Sequence, residues 1–488
     1  MTQLCATVTA DSMADLQKKR DNQVGADLVE LRLDTPVTVD VRAALQGRQT
    51  AVLLTCRPKW EGGEFIGSEE ERRKILLEAI DEGAEYVDVE HNASFLGDIL
   101  ARRQGRGVVV SHHEFGAIRD EDVHTRYRAM RGTGAEVVKI AVTVDSLSAG
   151  AELLRVGDAS DRRVIIGMGT AGVPTRVLAG RYGMCWTYAG ESVAPGQQSL
   201  DRMRDRFRVR HVTEKTRVYG VLGAPVSHSL SPAMHNAGFD ALGMDAVYLP
   251  LEATDVDDFL SFAQAVGLSG ASVTAPFKEV VASRVSQMDK TATAVGAINT
   301  LLWDGDGWTG RNTDVSGFLA PLVGRISIAG KRAVVLGAGG AARGVAWGLV
   351  QKGAAVRVCA RRSDRARSVS RSVGAETGEM PPAPNSWDLL VNTTPVGTYP
   401  NGGESPMPDG MLENGLVYDL VYNPRVTKLL AQASEAGCDT IGGLEMLVAQ
   451  AREQFAWWTD LQAPEGVFFK AATLELVRQD EMEEGQRD

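Results

Sequence analysis

Residues 136–142 read EVVKIAV. Val137, Val138, Ile140, Ala141 and Val142 have the composition of a buried β-strand, yet Lys139 sits in their midst. Alternation is the ordinary explanation: successive strand residues face opposite sides, and one side can face water. Whether that explanation holds depends on what lies around the strand.

Seven other runs of the same kind lie between residue 4 and about residue 190: LCATVT (4–9), DLVELRL (27–33), AVLLTCR (51–57), EYVDVE (85–90), GVVVSHH (107–113), RVIIGMG (163–169) and MCWTYA (184–189). Polar helix-forming stretches such as EERRKILLEAIDEG (70–83) and SLSAGAELLRVG (146–157) separate some of them. Strands alternating with helices build a parallel sheet, so this half of the α/β chain is expected to form a compact (β/α)8 barrel. Helices cover the outer face of such strands, and the inner face is the core. Polar residues near the C-terminal strand ends therefore converge on one site. Those ends carry Glu30, Arg32 and Asp34; Arg57, then Lys59, Glu61 and Glu64; Asp88 and Glu90; and His112, His113 and Glu114. Lys139 and Met168 follow, then Arg176 and the loop APGQ (194–197).

In that setting Lys139 is not a solvated strand residue. Burial disfavours a charged amine, and a neutral amine attacks a ketone to form an imine. The protonated imine stabilises a carbanion on the adjacent carbon. A histidine in reach can remove that proton and then protonate a departing hydroxyl. Dehydration of a β-hydroxy ketone is the expected chemistry. A lysine paired in a core ion network is the bland alternative. Strand parity cannot choose between the adjacent His112 and His113.

The ordered motifs ELRLD, TCRPKWEGGE, SHHEF, VVKIAV and APGQ resemble type I 3-dehydroquinate dehydratase. The resemblance implies Lys139 as the Schiff-base lysine. It selects His113 as the general acid/base, because Glu114 and Phe115 follow it, and Glu61 as the carboxylate that orients it. It implies substrate contacts for Glu30, Arg32, Arg57, Arg176 and Gln197. Arg57 or Arg176 would suit a substrate carboxylate. One departure is Val193, where the family usually has serine; Ser192 lies beside it.

Further on, RAVVLGAGGAARGVAWGLVQKG (332–353) sets a strand before Gly337, Gly339 and Ala342, and a helix after them. This fits GxGxx(G/A), whose glycines allow a tight turn and close backbone approach to a pyrophosphate. The next strand, AVRVCA, ends at Arg361 and Arg362 rather than an acid, which suits the 2′-phosphate of NADP. YGVLGAPVSHSLSPAMHN, ASVTAPFKEV, AINTL, GRNTDVSGF, NTTPVG, YDLVYNP and GGLEMLVAQA together resemble shikimate dehydrogenase. That resemblance implies Lys278 and Asp314 as a catalytic pair. It implies substrate contacts for Ser229, Ser231, Thr274, Asn299 and Gln450, with Tyr422 near both ligands. Gly337, Gly339, Gly340, Ala341, Thr393 and Gly443 would hold the cofactor with Arg361 and Arg362. The family commonly places asparagine–arginine–threonine where this chain has Ala360, Arg361 and Arg362. His228, His235, Trp457 and Trp458 read as structural.

The expected organisation is a barrel over 1–212 and a two-lobed dehydrogenase over 213–488. Its substrate lobe would be 213–325 plus about 443–488, and its NADP lobe 326–442, joined to the barrel without a long flexible linker. A formal net charge of −11 argues against nucleic acid or an anionic membrane as partner. Five scattered cysteines suggest neither a disulfide framework nor a metal site, and fit reducing cytoplasm. No signal or transit peptide and no apolar run long enough for a membrane span is legible. The resemblances imply a bifunctional enzyme of aromatic-precursor biosynthesis, similar to the plant fusion of the two activities. Its substrates would be 3-dehydroquinate and 3-dehydroshikimate, with NADPH as reductant and no metal. The rivals are a quinate dehydrogenase in the second half and a non-catalytic metabolite sensor. A sensor would be expected to lose Lys139, His113, Lys278 or Asp314, and all four are present.

Overall fold

The computed structural model describes residues 2–117, 120–190 and 196–484. Ser192, Val193 and the first two residues of APGQ lie outside the described residues. The chain divides into two compact units, residues 1–232 with 243–268 and residues 233–242 with 269–488.

The first unit opens with β1 (Gln3–Val8), β2 (Leu28–Arg32), β3 (Ala51–Thr55), β4 (Tyr86–Glu90), β5 (Val108–Ala117), β6 (Val137–Thr143), β7 (Arg163–Met168) and β8 (Trp186–Ala189). Between them lie α1 (Met13–Asp21), α2 (Val41–Leu45), α3 (Glu69–Asp81), α4 (Leu96–Arg103), α5 (Asp120–Arg131), α6 (Leu147–Leu154) and α7 (Val173–Val177). The eight strands pair in sequence order, all parallel, and β8 returns to β1. No ladder joins β7 to β8 among the described residues, so the barrel is nearly closed.

Period-two alternation fills the interior. Val109, Val137, Val164 and Trp186 pack its floor with Cys5, Leu28 and Leu53. Two residues beyond Val137 on the same face is Lys139, level with Ser111 on β5 and Val164 on β7. Helix starts follow from short polar caps: Ser68 and Glu71 form a capping box at α3, and Ser146 caps α6.

The segment after the barrel is packed rather than loose. Phe207 and Val209 are buried, and Arg210 reaches Asp27 at 2.8 Å. It leads into β9 (Arg217–Gly223), α8 (Ser231–Ala241), β10 (Ala246–Glu252) and α9 (Val256–Val266), with β9 and β10 parallel. Asp258 of α9 accepts from the backbone amides of Leu147 and Ser148 at 3.1 and 2.8 Å, a second cap on α6.

In the second unit, β11 (Leu268–Val273) runs antiparallel to β13 (Thr300–Trp303), and β13 antiparallel to β14 (Trp308–Arg311). β12 (Gln287–Met288) lies parallel to β14, with α10 (Lys290–Val295) and α11 (Asp314–Leu319) around them. A parallel sheet follows, made of β15 (Arg332–Leu336), β16 (Ala355–Cys359), β17 (Glu376–Gly378), β18 (Leu389–Asn392), β19 (Leu416–Asp419) and β20 (Asp439–Ile441). Its order, β17-β16-β15-β18-β19-β20, is that of a doubly wound dinucleotide fold. α12 (Gly340–Gln351), α13 (Ser363–Val373), α14 (Lys428–Glu435), α15 (Gly443–Thr459) and α16 (Val467–Glu484) complete the chain.

Candidate active sites

All eight residues expected at the barrel site line one cavity of about 110 Å³: Glu30, Arg32, Arg57, Glu61, His113, Lys139, Arg176 and Gln197. Lys139 Nζ lies 3.2 Å from Glu30 Oε1, 3.1 Å from Asp88 Oδ2 and 4.4 Å from the ring centroid of Tyr188. The buried setting expected for the amine is thus a cage of two carboxylates and one aromatic face. Thr7 and Thr55 donate to Glu30 at 3.0 and 2.9 Å and fix it from behind.

His113 Nδ1 is 3.0 Å from Glu61 Oε2, which also accepts from the His113 backbone amide at 3.1 Å. Burial, then the nearby Arg57 and Lys139 charges, push the His113 imidazole well below its ordinary range. A neutral ring that donates from Nδ1 to a carboxylate keeps Nε2 free of its proton, the form a general base needs. Glu61 gets its place from the turn RPKWEGG. Gly62 has φ +76°, and a Cβ on Gly63 would meet the Arg57 carbonyl at 2.1 Å.

The two candidate carboxylate binders differ. Arg57 is occupied: its guanidinium meets Asp88 at 2.9 Å, Glu90 at 2.8 Å and Ser111 at 2.7 Å. Burial opposes its charge, but Asp88, Glu90 and Glu61 outweigh burial and hold its proton tightly. Arg176 is buried, makes no ion pair among the described residues, and its Nε has no hydrogen-bond partner there. Burial alone pulls it down to about 10. An unpaired buried cation on a cavity wall is a place for an anion. Arg32 is held by Asp34 through two bonds of 2.8 and 2.6 Å, and Gln197 reaches Thr7 at 3.5 Å. Thr7, Ser111 and Tyr188 belong to the site and were not legible in the sequence.

In the second unit, Lys278 Nζ is 2.5 Å from Asp314 Oδ2. Asn299 Nδ2 donates to Asp314 Oδ1 at 2.8 Å and lies 3.3 Å from Gln450 Oε1. The Thr313 amide anchors Asn299 Oδ1 at 2.7 Å. Four of the expected residues therefore form one cluster. Thr274 follows β11, and Tyr422 follows β19, where burial pushes its phenol up. In the first unit, Ser229 Oγ accepts from the Ser231 amide at 3.3 Å as α8 begins.

The glycine loop closes β15. Gly337 has φ +116°, and a Cβ there would meet Thr393 Oγ1 at 2.5 Å, so glycine alone fits. Thr393 in turn bonds the Leu336 carbonyl at 2.7 Å. Gly339 caps α12, which starts at Gly340 and Ala341, and Gly443 begins α15. Arg361 and Arg362 stand exposed beyond β16, and Arg362 reaches Asp364 at 3.1 Å. His235 is wholly buried against Trp458 and Phe468, with ring centroids 5.0 and 5.2 Å away, and burial lowers its pKa to about 3. Trp458 donates to the Leu301 carbonyl at 2.9 Å, and Trp457 carries Arg311 over its ring at 4.2 Å.

The barrel with its lysine cage and the second unit with its lysine–aspartate pair agree with three family models. Type I 3-dehydroquinase matches residues 4–214, and the shikimate dehydrogenase substrate-binding domain matches residues 221–301. The shikimate 5′-dehydrogenase C-terminal domain matches residues 443–472. The molecule is accordingly a lyase and an oxidoreductase in one chain. A bifunctional 3-dehydroquinate dehydratase/shikimate dehydrogenase of Arabidopsis thaliana, described as chloroplastic, is 34% identical over 96% of this chain and 83% of that protein. This chain belongs to the bifunctional 3-dehydroquinate dehydratase/shikimate dehydrogenase family. A shikimate dehydrogenase (NADP+) of Synechocystis is 39% identical over 55% of this chain and 98% of its own length. Among solved structures, shikimate 5-dehydrogenase of Thermus thermophilus, in complex with NADP(H) and shikimate, is 35% identical. It covers 53% of this chain and all of that one, at a TM-score of 0.50.

Proposed function

We propose that the barrel turns 3-dehydroquinate into 3-dehydroshikimate and water, and that the second half reduces this product to shikimate. The observation that carries the first step is one cavity holding a caged lysine beside a neutral histidine–carboxylate pair. Lys139 Nζ adds to the substrate ketone, and the ketone oxygen departs as water, leaving an iminium. Glu30 and Asp88 offset its positive charge. His113 Nε2 takes a proton from the adjacent carbon, and the electron pair moves into the iminium. As the pair returns, the β-hydroxyl leaves with the proton from His113. A second water hydrolyses the iminium and frees Lys139. Arg176, which has no ion pair among the described residues, takes the substrate carboxylate, while Arg57 holds Asp88 in place beside Lys139.

For the reduction, Lys278 donates the proton that the alkoxide oxygen needs, and Asp314 orients the ammonium and balances its charge. Asn299 and Gln450 hold hydroxyls of the substrate. The tight glycine turn against Thr393 and the absence of an acid after β16 fit NADP, with Arg361 nearest in role to the 2′-phosphate. When bound there, NADPH supplies a hydride. None of the helices among the described residues is long and apolar enough to cross a membrane. Five free cysteines, none paired with another, favour a reducing compartment such as the cytoplasm.

Borohydride tests the first step. Added during turnover of 3-dehydroquinate, it should reduce the iminium and leave the added mass on Lys139. Inactivation with an unmodified Lys139 peptide would refute the assignment.

A further inference from the structure

The cavity chemistry uses His113 and leaves its neighbour unexplained. His112 is buried, only 6% exposed, and neither of its ring nitrogens has a hydrogen-bond partner among the described residues. Glu61 Oε1 is also buried without a partner. Two of these orphaned atoms face each other: His112 Nδ1 lies 3.4 Å from Glu61 Oε1. The other oxygen of the same carboxylate already serves His113 at 3.0 Å. Leaving a buried donor and a buried acceptor both unsatisfied is costly, and a small turn of the imidazole would satisfy both.

We propose that His112 is a positioning residue for the dehydration, donating from Nδ1 to Glu61 Oε1 so that one carboxylate is held by two consecutive histidines. This rests on the dehydratase reading of the barrel. Held at both oxygens, Glu61 cannot rotate away from His113 Nδ1, and Nε2 of His113 stays bare toward the cavity. The β-strand allows two adjacent residues to reach one group because Glu61 sits at the strand ends, beside the register shift of β5 after Glu114.

The arrangement makes the rate sensitive to the charge on His112. The groups around it are Glu61 from the turn after β3, His113 and Glu114 on β5, His91 after β4 and Arg126 on α5, the last acting on His91. Glu114 is 4.0 Å from Nε2. A second proton on His112 would draw charge from Glu61 and weaken the His113 base. Its own charge already counts among those that push the His113 imidazole down.

The test uses the full chain, with the reductase rate of each preparation as the measure of folded protein. Wild-type turnover of 3-dehydroquinate establishes the dehydratase reading independently, so failure of the His112 proposal is separable from failure of that reading. His112→Phe keeps the ring volume and removes the donor. It should lower dehydratase kcat about tenfold at about pH 8, with KM changed less than about twofold. His112→Asn retains a donor near Nδ1 but cannot titrate. It should recover most of the lost kcat at a similar KM. Wild-type kcat in His112→Phe would overturn the proposal, as would equal loss in both variants. If His112→Phe does not fold, His112→Leu takes its place against His112→Asn, and equal kcat in those two refutes the proposal.

Discussion

Each half of the molecule carries one lysine that the proposed chemistry uses, and the two are held in opposite ways. Lys139 has a side chain 5% exposed, two carboxylates within 3.2 Å and an aromatic face over its nitrogen. Lys278 is 34% exposed and meets one carboxylate at 2.5 Å. A covalent nucleophile must be aimed before the substrate arrives, and a charged intermediate must be balanced where it forms. The cage does both, at the desolvation cost of several buried charges. A proton donor has a lighter duty. An exposed ion pair is weak in water and strengthens when ligands exclude solvent. The lysine cage is thus assembled in the free protein, whereas the reductase pair relies on its ligands to become dry.

Substitutions at the open pair are the first way to break this contrast. Lys278→Ala and Asp314→Asn should each lower reductase kcat by about 100-fold, with KM little changed and dehydration intact. An effect confined to KM would make the pair a substrate anchor. Arg176→Gln sharpens the reading of the closed site. Losing one charge-assisted contact, worth about 1.5–3 kcal/mol, should lower dehydratase kcat/KM by roughly 10- to 100-fold. It should act mainly through KM, and an unchanged KM would return the carboxylate to Arg57.

The cofactor edge should give a smaller effect. Arg361→Ala should lower the NADPH over NADH preference by about tenfold at low salt and less at high salt. Arg362→Ala should do less, because Arg362 already reaches Asp364. The reverse order would reassign the phosphate. The smallest effect at neutral pH concerns stability. Burial lowers the His235 pKa from 6.5 to about 3, so the unfolded chain binds this proton first. The associated stability is fully present above about pH 6.5 and is lost as pH falls toward 3. His235→Phe should flatten the fall in Tm of the reductase half across that window while leaving its rate at neutral pH. A slope equal to wild type would show that other groups control acid unfolding.

The barrel was legible because its strands break their own rule. Glu30, Arg57, Asp88 and Lys139 occupy positions that alternation assigns to the core, and a buried charge in a pattern of valines stands out. Thr7, Ser111 and Tyr188 share the same face but look like ordinary strand residues. Arg72 was hidden differently. It lies in EERRKILLEAIDEG, a helix that reads as a solvated charged face, yet it is wholly buried and reaches Glu90 and the Cys56 carbonyl. Burial raises Glu90 to about 7, with Arg57 and Arg72 opposing. No periodicity announces a partner on another element. For the same reason the sequence left Arg57 and Arg176 equivalent until the acids around Arg57 were seen. The glycine turn was legible because a φ of +116° admits little else. The Arg362–Asp364 pair was not, since its effect depends on side-chain reach.

One chain is expected to carry out dehydration through Lys139 and then reduction at a separate pair. The purified protein given 3-dehydroquinate and NADPH should form shikimate, with one NADPH consumed for each. Lys139→Ala under the same conditions should consume none, and should regain the wild-type rate when given 3-dehydroshikimate instead. Shikimate formed by Lys139→Ala from 3-dehydroquinate would contradict the account.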